Sequence, residues 1–113
     1  MLTQIVKRRQ VEGARDAFFR AVETLESGYE RRRVLGALAE TPELSNETLT
    51  ALLRSASGTR SDYDLAQILL RVAEVHKLQG PLRDAYLQAA DKISSSYVQG
   101  RVLVALVKNE RGR

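Results

Sequence analysis

Residues 61–73 read SDYDLAQILLRVA, and the same pattern occurs at residues 27–39 (SGYERRRVLGALA) and 95–107 (SSYVQGRVLVALV). The three stretches begin 34 residues apart, so the chain carries an internal repeat. A fixed period of this length is typical of proteins built from stacked supersecondary units. The repeat is therefore the strongest single indication of the fold.

Four columns of the repeat are identical in every copy. They are Ser27/Ser61/Ser95, Tyr29/Tyr63/Tyr97, Leu35/Leu69/Leu103 and Ala17/Ala51/Ala85. Apolar columns fill the space between them, such as Val34/Ile68/Val102. We interpret residues 1–113 as one domain with units at about 11–44, 45–78 and 79–112.

Each unit is predicted to form two helices. In the first unit, apolar residues between positions 14 and 25 recur at the i, i+3, i+4 and i+7 spacing of an amphipathic helix. Ser27 followed by Glu30 is a helix-capping pattern, and Pro81 suits a first helical position. The predicted helices cover residues 12–25, 28–40, 46–56, 62–76, 81–92 and 96–109.

The second helix of each unit is apolar on several sides, most clearly at residues 102–107. A helix of this kind must be covered on several sides, and one helical pair cannot do that. We therefore expect an all-α fold, a short right-handed α-solenoid of three helix–turn–helix units with six to seven helices. Residues 1–10 are expected to end a preceding helix that covers the first unit with Leu2, Ile5 and Val6.

Composition excludes several classes of protein. The chain has no cysteine, which rules out disulfides and thiol chemistry. No apolar run approaches the ~20 residues of a membrane-spanning helix. The net charge of +4 arises from 18 basic and 14 acidic residues that are interleaved along the chain. An anionic partner is compatible with this charge, and so is an ordinary solvated surface.

The repeat has the length of a tetratricopeptide unit but lacks the signature of that family. There is no tryptophan, and the column of Pro42 holds His76 and Glu110. The recurring Ser-x-Tyr-[Asp/Glu] start, as in Ser61-Asp62-Tyr63-Asp64, resembles short HEAT-like repeats appended to bacterial regulatory and membrane-associated proteins. The resemblance covers about residues 11–109 and implies an α-solenoid that binds or senses another protein. It assigns no binding residues.

Two columns of the second helices are candidates for partner binding. Tyr29, Tyr63 and Tyr97 either pack on the first helix with their hydroxyls bonded to the backbone, or form a ladder of binding groups. Arg33, Gln67 and Arg101 are expected to face solvent, where they either contact an acidic or polar partner or serve only solubility. The adjacent column of Gly36, Leu70 and Val104 is either packing between units or the floor of a groove.

The sequence contains no set of residues that defines a catalytic or metal site. His76 is the only histidine, and without cysteine it gives no zinc-binding set, so we expect a surface or interface residue. Asp62 and Asp64 lie at a helix start, where they are interpreted as partners of the helix dipole. We expect no enzyme activity, no cofactor and no metal.

The function expected from these features is a non-catalytic module for protein–protein interaction or sensing, as part of a larger bacterial regulatory protein. Its partner would be another protein or peptide, with self-association through the apolar terminal unit as an added expectation. The alternative is a helical-repeat protein that binds nucleic acid, because such proteins grip phosphates and the chain is basic. Interleaved acids and few aromatic residues make nucleic acid the weaker alternative.

Overall fold

A computed structural model describes residues 12–112 and shows six helices and no strand within that range. The helices are α1 (Arg15–Glu23), α2 (Gly28–Ala39), α3 (Asn46–Ala56), α4 (Asp62–Val75), α5 (Pro81–Ala90) and α6 (Ser96–Gly112). The expectation of an all-α chain is confirmed for these residues. The helix expected before residue 11 lies outside the described part of the chain.

The helix limits agree closely with the sequence pattern. The third predicted helix, 46–56, matches α3 at both ends. Differences are confined to ends: α1 is shorter than the predicted 12–25, and α6 continues three residues beyond 109, to Gly112. Helix ends are where local patterns carry the least information, because the last turn can fray or continue at little cost.

Serine side chains cap the helices as the repeat predicts. The hydroxyl oxygens of Ser27, Ser45 and Ser61 accept hydrogen bonds from the backbone N–H groups of Glu30, Thr48 and Asp64. Ser95 accepts from the Val98 N–H at 3.3 Å, so the third copy keeps its serine cap without an acidic residue. Each cap satisfies a donor that the helix itself leaves unpaired.

Helix α5 begins without a serine cap, at a glycine followed by a proline. Gly80 adopts φ 60° and ψ −134°, a conformation that is costly for residues with a side chain, and Pro81 occupies the first helical position. Glycine is therefore required for the sharp change of direction between the second and third units.

The helices form two rows. The first helices of the units pack side by side in the order α1, α3, α5, and the second helices pack in the order α2, α4, α6. Contacts from α3 to α2 and α4, and from α5 to α4 and α6, join the rows. The smallest dimension of the molecule is 22 Å, which equals about two helix diameters.

The core lies between the rows and consists of the repeated apolar columns. Leu35, Ile68, Leu69, Val72 and Val102 are completely buried. Tyr86 is buried as well, and its hydroxyl donates a 2.8 Å hydrogen bond to the carbonyl oxygen of Val102. Burial raises the pKa of the Tyr86 hydroxyl well above its ordinary value, so this residue stays a neutral donor.

Arg31 is a buried cation that ties the first two units together. Its Nε donates to the carbonyl oxygen of Leu25 at 3.1 Å, and a second guanidinium nitrogen donates to the carbonyl oxygen of Ser55 at 3.1 Å. The third nitrogen lies 3.3 Å from a carboxylate oxygen of Glu23. These acceptors compensate the cost of removing the charge from water.

His76 is buried, which corrects the expectation of a surface or interface residue. It is 5% exposed, and its Nε2 lies 2.9 Å from the carbonyl oxygen of Ala39 at the end of α2. The buried Asn109 amide donates to the carbonyl oxygens of Ala73 and His76 and accepts from the Leu78 N–H. His76 thus satisfies a carbonyl group at the end of α2 in the first unit. Asn109 of the third unit does the same at the end of α4 in the second unit.

Asp62 and Asp64 have a more specific role than partners of a helix dipole. The two carboxylate oxygens of Asp62 accept hydrogen bonds from the N–H groups of Ser94 and Ser95, at 3.1 and 2.9 Å. Asp64 accepts from Arg32 Nε at 2.7 Å. Each carboxylate therefore joins its helix to a neighbouring unit.

Glu12 makes a similar connection at the start of the described chain. Its carboxylate accepts hydrogen bonds from the Ser45 N–H and hydroxyl, both at 2.7 Å, and from the Thr48 hydroxyl. Burial alone would raise the pKa of this carboxyl, but the hydrogen bonds from Thr48 and Ser45 and the charge of Arg15 hold it below its usual value.

Candidate interaction surface

One stripe on each second helix faces away from the core. Its positions follow the i, i+4, i+7, i+11 spacing that places residues on one side of a helix. In α2 with its C-cap residue Glu40, and in α4 and α6, these positions are Tyr29/Tyr63/Tyr97, Arg33/Gln67/Arg101, Gly36/Leu70/Val104 and Glu40/Glu74/Lys108. We call these twelve residues the outer face; because the three helices lie side by side, their stripes form one surface.

The three tyrosines of the outer face are exposed. Tyr29 is 52% exposed, Tyr63 61% and Tyr97 76%. The interpretation in which their rings pack on the first helix is therefore wrong. The position of each tyrosine on its helix explains this exposure. Each tyrosine lies one turn before Arg33, Gln67 or Arg101 and on the same side of the helix, whereas the column of Leu35 and Leu69 lies on another side, which is buried.

Arg32 connects two of these tyrosines. Its guanidinium carbon lies 5.0 Å from the centre of the Tyr29 ring and 5.7 Å from that of Tyr63. The ion pair with Asp64 fixes the guanidinium from the other side. Arg33 also lies near Tyr29, with 5.9 Å between guanidinium carbon and ring centre. Cation–π contacts at these distances hold the rings in place on the surface.

The predicted column Arg33/Gln67/Arg101 is divided by the structure. Arg33 and Arg101 are exposed and Gln67 is half-buried. Gln67 and Arg101 line the same groove, between α4 and α6, whereas Arg33 lies beside Tyr29 on α2. The structure therefore brings two of the three residues into one concave feature.

This groove is open and has a volume of about 570 Å³. Leu70 and Ala105 supply its apolar part, both half-buried. Its other lining residues are mostly polar: Gln67, Arg71, Ala73, Glu74, Arg101, Lys108, Asn109 and Gly112. The Leu70 position is therefore the floor of a groove, one of the two alternatives for its column.

Positive charge is in excess on the outer face. Arg71, which lines the groove, lies 3.2 Å from a carboxylate oxygen of Glu40 and 3.9 Å from one of Glu74, so its single charge is shared between two acids. Arg101 and Lys108 have no acidic partner within ion-pair distance among the described residues. Two cations at one wall of the groove are therefore available to an anionic group.

Sequence reasoning missed Arg71 and Lys108. A signal was present for Lys108, which lies eleven residues after Tyr97 and therefore on the tyrosine side of α6, whereas Arg71, eight residues after Tyr63, is rotated about 80° away from that stripe on α4. The ion pair of Arg71 with Glu40 carried no such signal, since it depends on how α2 and α4 are placed against each other.

A second apolar surface lies at the end of the third unit. Leu103 is 36% exposed and Val107 47%, although their counterparts Leu35, Leu69 and Ala39 are fully buried against the following unit. Leu87, Gln99 and Leu103 line a shallow groove of about 400 Å³ on this side. We call Leu87, Leu103 and Val107 the end face.

Within residues 12–112 the structure shows no cluster of three or more acidic or histidine side chains able to hold a metal ion. None of the helices in that range has the length and apolar character needed to cross a membrane.

No protein-family model matches the chain. Comparisons with curated protein sequences and with solved structures find no significant similarity either.

Proposed function

We propose that the chain is a non-catalytic interaction or sensor module that binds another protein or peptide through the outer face. In this proposal the three helical pairs form a short right-handed α-solenoid of the HEAT-like kind, as part of a larger regulatory protein. The exact 34-residue spacing of four columns and the two rows of helices support it. Such arrays present extended surfaces formed by equivalent positions of successive units.

The observation that carries the proposal is the exposure of one tyrosine in every unit. Each ring is more than half exposed at the same position of its helix, so none is needed to fill the core. Tyrosine and arginine are the residues that most often dominate binding at protein interfaces. Here tyrosines and arginines alternate along one surface, and the Arg32 contacts hold two of the rings in place.

Nucleic acid is the second candidate partner, and the same exposed tyrosines and arginines favour it. The outer face also carries Glu40 and Glu74, and Glu30 is exposed in the first turn of α2. These carboxylates would repel a phosphate backbone that follows the face. A protein partner is therefore the better fit.

The test compares two charge-reversed variants of equal composition. The outer-face variant carries Arg33→Glu and Arg101→Glu, and the control carries Arg20→Glu and Arg54→Glu, two exposed arginines 34 residues apart on the first helices. Proteins retained on the immobilised wild-type chain from its host's extract are identified by mass spectrometry, purified and titrated by calorimetry. We expect a partner that binds the wild type and the control but not the outer-face variant. A partner lost equally from both variants, or from neither, would contradict the proposed surface.

We also propose that the chain self-associates through the end face. Leu103 and Val107 occupy positions that the first two units bury against a neighbouring helical pair. Burying such positions gains about 25 cal/mol for each Å² of apolar area removed from water. A second copy of the chain presents helices of the same kind, so it is a suitable cover.

A further inference from the structure

We infer that the groove between α4 and α6 binds an acidic segment that also carries apolar side chains. This inference rests on the proposed function and names the chemistry of the partner at the outer face. In the bound state, carboxylates of the partner pair with Arg101 and Lys108, and apolar side chains cover Leu70 and Ala105.

The first argument is the charge of the groove. Among its described lining residues the cations are Arg71, Arg101 and Lys108, and Glu74 is the only acid. Arg71 is shared between Glu74 at 3.9 Å and Glu40 at 3.2 Å, and the two further cations Arg101 and Lys108 still leave this group of five charges net positive. Arg101 and Lys108 are exposed and spaced i, i+7 on α6, which places them on the same side two turns apart. A partner with carboxylates about two helical turns apart would meet both.

The second argument is the apolar floor. Leu70 is half-buried on α4, and Ala105 faces it from α6 with too small a side chain to fill the space between the helices. The volume of about 570 Å³ is in the range of about 300–1,000 Å³ in which proteins commonly bind small groups. A purely charged ligand would leave this floor in contact with water, whereas an acidic segment with leucine-sized side chains would cover it.

The third argument concerns orientation. Tyr63 and Tyr97 lie one turn before Gln67 and Arg101 on the same side of α4 and α6, so they stand beyond one end of the groove on the outer face. Both rings are exposed and end in a hydroxyl that can donate to a carboxylate or carbonyl oxygen. The groove and the tyrosines together form a surface with an apolar centre and polar borders, the usual arrangement of a protein-binding site.

The experiment uses four fluorescein-labelled probes and the full chain. The first probe is a 15-residue peptide of glutamate and leucine in helical spacing. The second has lysine for glutamate, the third has serine for leucine, and the fourth is a 15-nucleotide single-stranded DNA. Binding is followed by fluorescence anisotropy at low and at physiological salt. The variants are Arg101→Glu with Lys108→Glu, and the control Arg20→Glu with Arg54→Glu, which changes the net charge equally.

We expect the glutamate–leucine peptide to bind most tightly, and the groove variant to weaken its binding at least about tenfold while the control changes it less than about twofold. Removing leucine should weaken binding as well, and salt should weaken it further. Equal loss in both variants would overturn the inference, because it would show attraction to the overall charge alone. Tighter binding of DNA, of the lysine peptide or of the leucine-free peptide, or no binding of the first probe, would also overturn it.

Failure here is distinguishable from failure of the proposed function. If the purified partner needs Arg33 and Arg101 but the acidic peptide does not bind, the outer face remains the interaction surface and only its acidic preference is wrong. If the peptide binds in the groove and no protein depends on the outer face, the proposed function is wrong. Circular dichroism of every variant shows whether its helices are intact.

Discussion

Gln67 and Arg101 lie on opposite walls of one groove, although 34 residues separate them in the chain. Their approach follows from the repeat, because equivalent positions of α4 and α6 must face the same way when the two helices pack side by side. Equivalent positions of these two helices therefore lie next to each other on the surface. A residue type that recurs in a column therefore recurs along the outer face. Where one unit differs, as Lys108 differs from Glu40 and Glu74, one end of the outer face has a different charge.

Replacing Arg31 with alanine should destabilise the fold strongly, whereas replacing Arg33 should not. Arg31 is 8% exposed and hydrogen-bonds the carbonyl oxygens of Leu25 and Ser55, which its loss would leave unsatisfied. We expect Arg31→Ala to lower the free energy of unfolding by about 2–3 kcal/mol. The exposed Arg33 should change it by less than about 0.5 kcal/mol. Urea unfolding followed by circular dichroism measures both, and equal effects would contradict the assigned roles.

Two glycines should respond to alanine in opposite directions. Gly36 lies inside α2 with open space around its missing side chain, so Gly36→Ala should raise the free energy of unfolding by about 0.5–1 kcal/mol. Gly80 also has open space, but its positive φ disfavours any side chain, and Gly80→Ala should lower the free energy by about 1–3 kcal/mol. Thermal unfolding of the two variants checks the signs. Stabilisation by Gly80→Ala would show that this backbone conformation is not required.

Most of the helical framework could be predicted from the sequence, because local signals mark it. Serine caps, Gly80-Pro81 and the apolar period fixed α2 to α5 within about two residues at each end. The interior position of Arg31 was missed, although its column also holds Leu65, which is 1% exposed. The same column holds the half-buried Gln99 in the third unit, so two of its three residues are polar and a comparison of columns does not predict burial there.

The residues of the site were harder to predict than the helices. Helical phase could have predicted the exposure of Tyr29, Tyr63 and Tyr97, since Arg33 and Arg101 share their side of the helix, but the sequence analysis left packing on the first helix open. The burial of His76 had no local signal, because its column holds Pro42 and Glu110 and its acceptor belongs to Ala39 in another unit. Contacts of this kind depend on how units are placed, which no pattern within one unit records.

The carboxylate of Glu12 should make the stability depend on pH. Its pKa is lowered in the folded chain, so its contribution is complete above the pKa of the unfolded chain, about 4.3, and is lost as the pH falls through the folded value. Glu12→Gln should lower the free energy of unfolding by about 1 kcal/mol at pH 7 and by less at pH 3. Urea titrations at both pH values measure the difference. Glu26→Gln is the control, because Glu26 is exposed between α1 and α2 and forms no ion pair among the described residues, and the same pH dependence in that variant would rule out the assignment to Glu12.

Charge on the end face should prevent self-association, if a second copy covers it. Leu103 and Val107 lie one turn apart on α6, so Leu103→Glu with Val107→Glu places two like charges at the centre of the proposed contact. We expect the mass of the wild type in sedimentation equilibrium to rise with concentration and that of the variant to remain that of one chain. Val104→Glu is the control, because Val104 is 53% exposed on the outer face and should leave self-association intact. A single-chain mass for the wild type up to several hundred micromolar would refute the contact, since buried apolar area of interface size would associate well below that concentration. Loss of association in the control alone would instead place the contact on the outer face, where it would compete with the acidic segment.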